Sequence, residues 1–213
     1  MHFAPDTEDA LLFAALLVNT RAGASRSGED ELATPARLVE LLRVSRYSGR
    51  VDGDEPERAA VAALRERVHA LWRTDADGPD TRDQAVTEIN AMLRESAALP
   101  QLRRHDGFDW HLHATEFDAP LVDRIQTEIA MALVDVVRSD AWDRLRLCAA
   151  DDCDGLLVDL SRNGSKRYCS VRCSNRVNTI AFRARAQEPL DSGSDAATPA
   201  PVSRPTGGGW DRG

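Results

Sequence analysis

Four cysteines are the residues of this chain whose type and spacing point most directly to chemistry. They lie within one 26-residue window, as Cys148-x4-Cys153 and Cys169-x3-Cys173, with fifteen residues between the two pairs. Zn²⁺ accepts four thiolates in a tetrahedron, and two closely spaced pairs supply that geometry with little strain. The spacing therefore predicts a structural zinc site formed by Cys148, Cys153, Cys169 and Cys173.

Disulfides, a redox dithiol and an iron centre are the alternative uses of such cysteines. Residues 1–10 hold three acidic and no Lys or Arg side chains, and the apolar run 11–18 is too short to span a bilayer. We therefore expect a cytoplasmic, reducing location without membrane contact, where clustered cysteines hold metal more often than they form disulfides. A thioredoxin-type site needs C-x-x-C beside a βαβ pattern, and the sequence has neither. A redox switch or an iron centre stays open beside zinc.

Charge is distributed unevenly along the chain, whose formal net charge is −8. Residues 161–187 contain no Asp or Glu but seven basic residues: Arg162, Lys166, Arg167, Arg172, Arg176, Arg183 and Arg185. Without these seven, 20 basic and 35 acidic residues remain, a net charge of −15. An acidic body thus carries one basic segment, which overlaps the second half of the cysteine window.

The elements that must position the cysteines are mainly helices. Apolar residues recur at helical spacing, with capping signals, in five segments: 9–20, 35–47, 55–72, 81–98 and 121–137. Asp106-Gly107, between 100–105 and 108–113, predicts one β-hairpin in this body. The sequence therefore predicts a mainly α fold, with a multihelical domain over 1–140 and a zinc finger over 141–187. Residues 188–213, rich in Pro, Gly, Ser and Ala, predict a disordered tail.

The cysteine module itself is predicted to be treble-clef-like, a β-hairpin followed by a helix. Residues 156–160 and 166–168 are the expected strands, joined at Asn163-Gly164, and the helix runs from about Ser170 through Arg185. Ligands at the start of that helix benefit from its partial positive charge, which favours the anionic sulfur. We expect Val177, Ile180 and Phe182 to pack on the hairpin.

A basic helix of this kind predicts contact with nucleic acid. Arg172, Arg176 and Arg183 share one side of the helix and match a phosphate backbone, and Asn175 can hydrogen-bond a base edge or a phosphate. The predicted contacts are Arg162, Lys166, Arg167, Arg172, Asn175, Arg176, Arg183 and Arg185. The alternative is that these cations dock on the acidic body or stay solvated.

A family resemblance rests on residues around the second cysteine pair. The segment from Cys169 to Arg176, preceded by 159–163 and followed by 181–185, resembles the CGNR zinc-finger family. Its Cys-Gly-Asn-Arg signature is matched at Cys173, Asn175 and Arg176, whereas Ser174 replaces the glycine. Zinc needs only the sulfur, so this replacement leaves the predicted metal site unchanged.

The body resembles the ABATE domain that usually precedes this finger. The matching features are Asn19-Thr20 after the first apolar helix, the segment 64–72, and Trp110 before a terminal apolar helix. The two resemblances together cover residues 11–185. They imply a bacterial, stress-responsive transcription regulator, which spacing and composition alone do not.

Function remains open among three hypotheses. In the first, the finger binds DNA while the body senses or dimerises. In the second, the finger binds a protein, such as the transcription machinery. In the third, the body holds a small molecule near Asn19 and Trp110, and the finger only stabilises the body. His111 and His113 share a strand face and could serve a second metal or acid–base site. We expect no enzyme, because the sequence shows no Ser-His-Asp order, phosphate loop or H-E-x-x-H motif.

Overall fold

A computed structural model describes residues 3–73, 79–104 and 110–187 of the chain. Its helices are α1 (Pro5–Val18), α2 (Pro35–Val44), α3 (Glu55–Trp72), α4 (Pro79–Glu95), α5 (Leu121–Arg138) and α6 (Val171–Gln187). The strands are β1 (Gln101–Arg103), β2 (His111–His113), β3 (Leu145–Leu147) and β4 (Leu156–Val158). The predicted mainly α architecture is confirmed; the Asp106-Gly107 turn and the tail 188–213 lie outside the described residues.

Local capping chemistry explains where the body helices begin. The Thr34 hydroxyl accepts a hydrogen bond from the Arg37 amide at 3.4 Å, and Pro35 occupies the first helical position of α2. At α3, the Asp54 carboxylate accepts from the Glu57 amide at 2.9 Å. The Asp54 cap satisfies an amide in the first turn of α3, whereas the Arg37 amide of α2 also donates to the Thr34 carbonyl at 3.0 Å. The bounds of the helices confirm the predicted start of α2 and both predicted ends of α3.

The core of the body is built around α5, which packs against α1, α3 and α4. Its buried side chains include Ile125, Ile129, Leu133 and Val136, which recur every three or four residues. Leu64 and Val68 of α3 complete this apolar interior. Burying each such side chain contributes about 1.5–3 kcal/mol, so this packing stabilises the body. None of the helices within the described ranges combines the length and hydrophobicity of a membrane crossing.

The finger contains a hairpin, but not the one predicted. β4 pairs with β3, which precedes the first cysteine pair, in the register Leu145 with Val158 and Leu147 with Leu156. The prediction that residues 166–168 form the returning strand is wrong. The Asp159 carboxylate explains the difference, because it accepts from the Ser161 amide at 3.0 Å and the Lys166 amide at 2.9 Å. These bonds fold 159–166 into a loop.

The finger hairpin belongs to the same interior as the body. Leu145, Leu156 and Val158 lie in the main apolar cluster together with residues of α1 and α5. Trp142, in the short 3-10 turn before β3, joins the same cluster. The strands that carry the first cysteine pair are therefore held by the body's core. The division of the chain at residue 140 stays a prediction.

Candidate zinc centre and nucleic-acid interface

The first cysteine pair lies in the turn of the β3–β4 hairpin. The Cys148 amide donates to the Gly155 carbonyl at 2.7 Å, and the Cys153 amide donates to the Ala150 carbonyl at 3.1 Å. The Gly155 amide points at the Cys153 sulfur, 3.4 Å away. These backbone bonds form a compact knuckle that places both sulfurs on one side.

The second pair lies at the start of α6. Cys169 precedes the helix, and Cys173 is its third residue. The Cys173 amide donates to the Ser170 hydroxyl at 3.3 Å, and the Cys169 amide points at the Cys148 sulfur at 3.5 Å. The Ala149 amide donates to the Arg167 carbonyl at 2.8 Å. The loop before α6 is therefore bonded to the knuckle, which brings the two pairs together.

The four sulfur atoms form one cluster. The three distances among the Sγ atoms of Cys153, Cys169 and Cys173 are each 3.7 Å, and all four Sγ atoms lie within 4.8 Å of one another. A tetrahedral zinc with bonds of about 2.3 Å places its sulfurs about 3.8 Å apart. A disulfide would need about 2.05 Å. The cysteines are thus positioned to bind one metal ion, and the geometry fits Zn²⁺.

Electrostatics favour a cation at this cluster. Burial raises the pKa of Cys153 to about 11 and also raises the pKa of Cys169. Burial acts in the same direction on Cys173, but hydrogen bonds from Ser170 and the neighbouring thiols outweigh it and lower the pKa of that thiol. Thiols this close resist ionising together, since each thiolate repels the others. A divalent cation removes that penalty because it binds the deprotonated sulfurs.

Gly155 is a close neighbour of the cluster that the sequence prediction missed. A Cβ atom at this position would lie 2.7 Å from the Cys169 sulfur and 3.1 Å from the Cys153 sulfur. Real side chains do not approach this closely, so only glycine leaves room for the sulfurs. In the sequence, only its position two residues after Cys153 indicates that Gly155 lies beside the metal ligands.

Asn19 joins the body to the finger instead of lining a pocket. Its side-chain amide donates to the Leu156 carbonyl at 2.9 Å, and its side-chain carbonyl accepts from the Leu156 amide at 2.7 Å. Nearby, the Asp154 amide donates to the Gly23 carbonyl at 3.1 Å. Trp110 is 65% exposed, with the Arg104 guanidinium 5.6 Å from its ring. The geometry gives no support to a pocket at Asn19 and Trp110.

The segment 20–30, which receives the finger, is itself fixed to α3. The buried Arg65 guanidinium binds both oxygens of Asp30, at 2.7 and 2.8 Å, and the Thr20 hydroxyl at 3.1 Å. Arg21 binds Glu66 at 3.0 Å and donates to the Nε2 atom of His69 at 3.0 Å. Hydrogen bonding to Arg65 lowers the pKa of Asp30, so the carboxylate stays ionised. Segment 20–30 is therefore a well-anchored support.

Two of the predicted DNA contacts have partners inside the protein. Arg172 donates to the backbone carbonyls of Arg26 and, at 3.1 Å, Ser25. Arg176 pairs with Asp152 at 2.6 Å and lies 3.7 Å from the Cys173 sulfur. Arg172 therefore helps to dock α6 on segment 20–30, and Arg176 places positive charge beside the metal cluster.

The other predicted contacts face solvent. Lys166 is exposed although its ammonium reaches the Val158 carbonyl at 3.3 Å, and Arg167 lies over the Tyr168 ring. Arg162, Arg183 and Arg185 are exposed and have no hydrogen-bond, ring or ion-pair partner among the described residues, and Asn175 is exposed too. The expected packing of Ile180 and Phe182 is wrong: they are 59% and 67% exposed, because α6 extends beyond the hairpin. Val177 does pack against the cysteine cluster.

Two arginines at the start of the finger hairpin, Arg144 and Arg146, were missed by the sequence prediction. Arg144, just before β3, donates to the Asp159 and Ser161 carbonyls, and Arg146 donates to the Gly164 carbonyl at 2.8 Å and pairs with the buried Asp159 at 3.2 Å. Together they fix the loop that carries Arg162. Alternation of Arg144 and Arg146 around an apolar residue was the available signal.

The histidines of β2 share a face, as predicted. The Nε2 atoms of His111 and His113 are 2.9 Å apart. Within the ranges that the structure describes, the four cysteines are the only group of three or more metal-ligating side chains close enough to hold one ion. The zinc centre is thus the site that the described geometry assembles.

Comparison with known families agrees with this geometry. The family model for ABATE, described as "Putative stress-induced transcription regulator", matches residues 13–140. The chain belongs to the ABATE family. In this ABATE protein, the CGNR zinc-finger model matches residues 144–186, directly after the body and across all four cysteines. Both resemblances seen in the sequence are therefore confirmed, in the predicted order. No curated protein matches the chain.

Proposed function

We propose that this ABATE protein is a cytoplasmic transcription regulator that binds duplex DNA through the exposed basic surface of its finger. The proposal rests on three exposed cations of the finger, Arg162, Arg183 and Arg185, which have no hydrogen-bond, ring or ion-pair partner among the described residues. α6 contains no acidic residue, so all of its charged side chains are arginines. Lys and Arg side chains that neutralise phosphates release counterions, which drives binding.

The described contacts indicate different roles for the finger's residues: metal binding, attachment of α6 and contact with DNA. Cys148, Cys153, Cys169 and Cys173 hold zinc, which supplies the cross-link that fixes α6 on the knuckle. Arg172 and Arg176 hold the start of α6 against the protein. Arg183 and Arg185 lie farther along the helix, where they can reach a phosphate backbone. The predicted contact surface therefore shifts toward the second half of α6 and the loop at Arg162.

The experiment is a salt titration of binding between the zinc-loaded full chain and random duplex DNA. We compare the wild type with the double variant Arg183→Ala/Arg185→Ala. The control is Arg37→Ala/Arg94→Ala, which removes two exposed arginines from the body. We expect steep salt dependence, and a slope that falls by about two for the finger variant alone. Binding that is absent at low salt, or equal losses in both variants, would refute the proposal and favour a protein partner.

We also propose that two copies act together on DNA. A single finger buries too little surface for specific recognition, which typically needs about 1,000–2,500 Å² of protein surface. The test is the mass of the complex on a defined duplex by light scattering. Two chains per duplex support the proposal, and one chain at saturation contradicts it.

A further inference from the structure

One face of α6 combines uncharged polar and apolar side chains, and all of them are exposed. Val171, Asn175, Asn178 and Phe182 are spaced four, three and four residues apart. At 100° per residue they fall within an arc of about 60°, along about 16 Å of helix. Val171 is 76% and Phe182 67% exposed, and both asparagines are exposed. We call these four residues the outer face of α6.

The outer face points away from the rest of the protein. Cys173 and Val177, which pack in the finger, lie on the opposite side of the helix. In the described chain, neither Asn175 nor Asn178 has a hydrogen-bond partner for its side-chain amide. Asn and Val are weak helix formers, so these residues cost α6 stability on a face where nothing in the described structure offsets that cost.

The chemistry of this face matches the edges of A·T base pairs. An asparagine amide pairs with the N6 and N7 atoms of adenine, and apolar side chains contact the thymine methyl group. Solvent-exposed arginines border the face on both sides, Arg183 on one and Arg185 on the other. Such borders match the phosphates that flank a major groove, which is about 12 Å wide and admits a helix. A second copy of this basic helix would bring arginines against arginines, which charge repulsion disfavours.

We propose that the outer face of α6 reads A·T base pairs in the major groove, with Asn175 and Asn178 contacting adenine and Phe182 contacting a thymine methyl. This inference rests on the proposed DNA binding and adds the chemical identity of the target. Phosphate contacts position a protein on DNA, whereas contacts to base edges give sequence preference. The two contributions can therefore be tested separately.

The first test uses the zinc-loaded full chain and two duplexes of equal length, one of A·T pairs and one of G·C pairs. We compare the wild type with Asn175→Ala/Asn178→Ala, and use Asn90→Ala, an exposed asparagine of α4, as the matched control. We expect the double variant to lose roughly tenfold or more in affinity for the A·T duplex and to keep its affinity for the G·C duplex. The control keeps both affinities. Zinc content and circular dichroism verify that each variant is folded.

The second test replaces thymine by uracil, which removes only the C5 methyl group. Wild-type affinity is expected to fall on the uracil duplex, and Phe182→Ala is expected to bind both duplexes alike. If the variants bind as the wild type does, or lose affinity equally on all duplexes, DNA binding stands and base reading is refuted. If the wild type binds neither duplex, the proposed function fails and this inference with it. Loss of self-association in Phe182→Ala, without an effect on DNA, would assign the face to a second copy and overturn the inference.

Discussion

The side chain of Asn19 forms two hydrogen bonds with one residue, Leu156, through the donor and the acceptor of that residue's backbone. An asparagine amide presents the same donor and acceptor pair as a peptide group. Asn19 therefore acts as a one-residue strand that pairs with the outer edge of β4. The last turn of α1 is joined in this way to the strand that leaves the zinc knuckle.

Replacing Asn19 with Ala should weaken this junction without removing zinc. Two partly buried hydrogen bonds disappear, and the Leu156 backbone loses its partners, so we expect unfolding to become easier by about 1–3 kcal/mol. Urea unfolding measures the change, and hydrogen exchange at Leu156 shows where it acts. Asn90→Ala should change stability by less than about 0.5 kcal/mol. Equal stability of the Asn19 and Asn90 variants would contradict the assigned role.

Replacing Gly155 with Ala should damage the metal site directly. The new methyl group would lie 2.7 Å from the Cys169 sulfur, so either the knuckle or the sulfur must shift. We expect zinc affinity to fall roughly tenfold or more, as measured by competition with a chromophoric chelator. Gly28→Ala is the control, since its Cβ meets nothing within 4 Å although its φ is +81°. Unchanged affinity in Gly155→Ala would mean that the sulfurs tolerate displacement.

Loss of a zinc ligand should unfold α6 but leave the strands in place. In Cys148→Ser or Cys173→Ser the cross-link between knuckle and helix is lost, and the remaining contacts of α6, through Val177 and Arg172, are too few to order it. β3 and β4 stay folded because their apolar residues belong to the body's core. Loss of stoichiometric zinc and of protection in α6 alone is the expected result of metal analysis and hydrogen exchange. Retained zinc in either variant would refute the four-cysteine site.

The sequence was sufficient for those features that depend on local patterns. Capping residues determined the starts of α2 and α3, and cysteine spacing predicted the metal cluster. The partner of β4 was not predictable in this way. Asn163-Gly164 carries the usual signal of a hairpin turn, but the buried Asp159 carboxylate binds the backbone on both sides of it. A side chain acting across seven residues outweighed the turn signal.

Acidification should weaken the contact between segment 20–30 and α3, because it protonates His69. Arginine can only donate, so the bond from Arg21 requires a neutral Nε2 acceptor on His69. Burial lowers the pKa of His69, and the charge of Arg21 lowers it further. Because the pKa of His69 is lower in the folded state than its unfolded value of about 6.5, the neutral ring stabilises the fold fully above that pH. This stabilisation is lost as the pH falls toward the folded-state pKa.

Thermal unfolding measured between about pH 7 and pH 5 tests this expectation. The wild type should lose more stability over this interval than His69→Gln, whose amide carries no titrating proton. Asp30 should not contribute here, since hydrogen bonding to Arg65 lowers its pKa from 3.8 and its stabilisation is lost only in stronger acid. Parallel pH profiles for the two proteins would exclude His69 as the titrating group.

The arginines of the finger show why contacts between distant segments escape a sequence pattern. Arg172, Arg176 and Arg183 share one side of α6, as helical spacing requires, yet they serve different purposes. The first reaches carbonyls of segment 20–30, nearly 150 residues away, and the second reaches Asp152. Periodicity determines the side of a helix, but not whether that side meets protein or solvent.

α6 contacts the rest of the protein through its first two turns, and the remainder of the helix extends into solvent. Its seventeen residues, at 1.5 Å each, make a helix about 25 Å long, in which Arg172 lies near the fixed N-terminal end and Arg185 about 20 Å away along the axis. A rotation of the helix axis by about 10° around this end would move Arg185 by roughly 3 Å, close to the rise of one base pair. The two carbonyls that bind Arg172 therefore fix the direction of α6. In the proposed complex with DNA, a small shift of segment 20–30 would change which base-pair step the C-terminal end of α6 contacts.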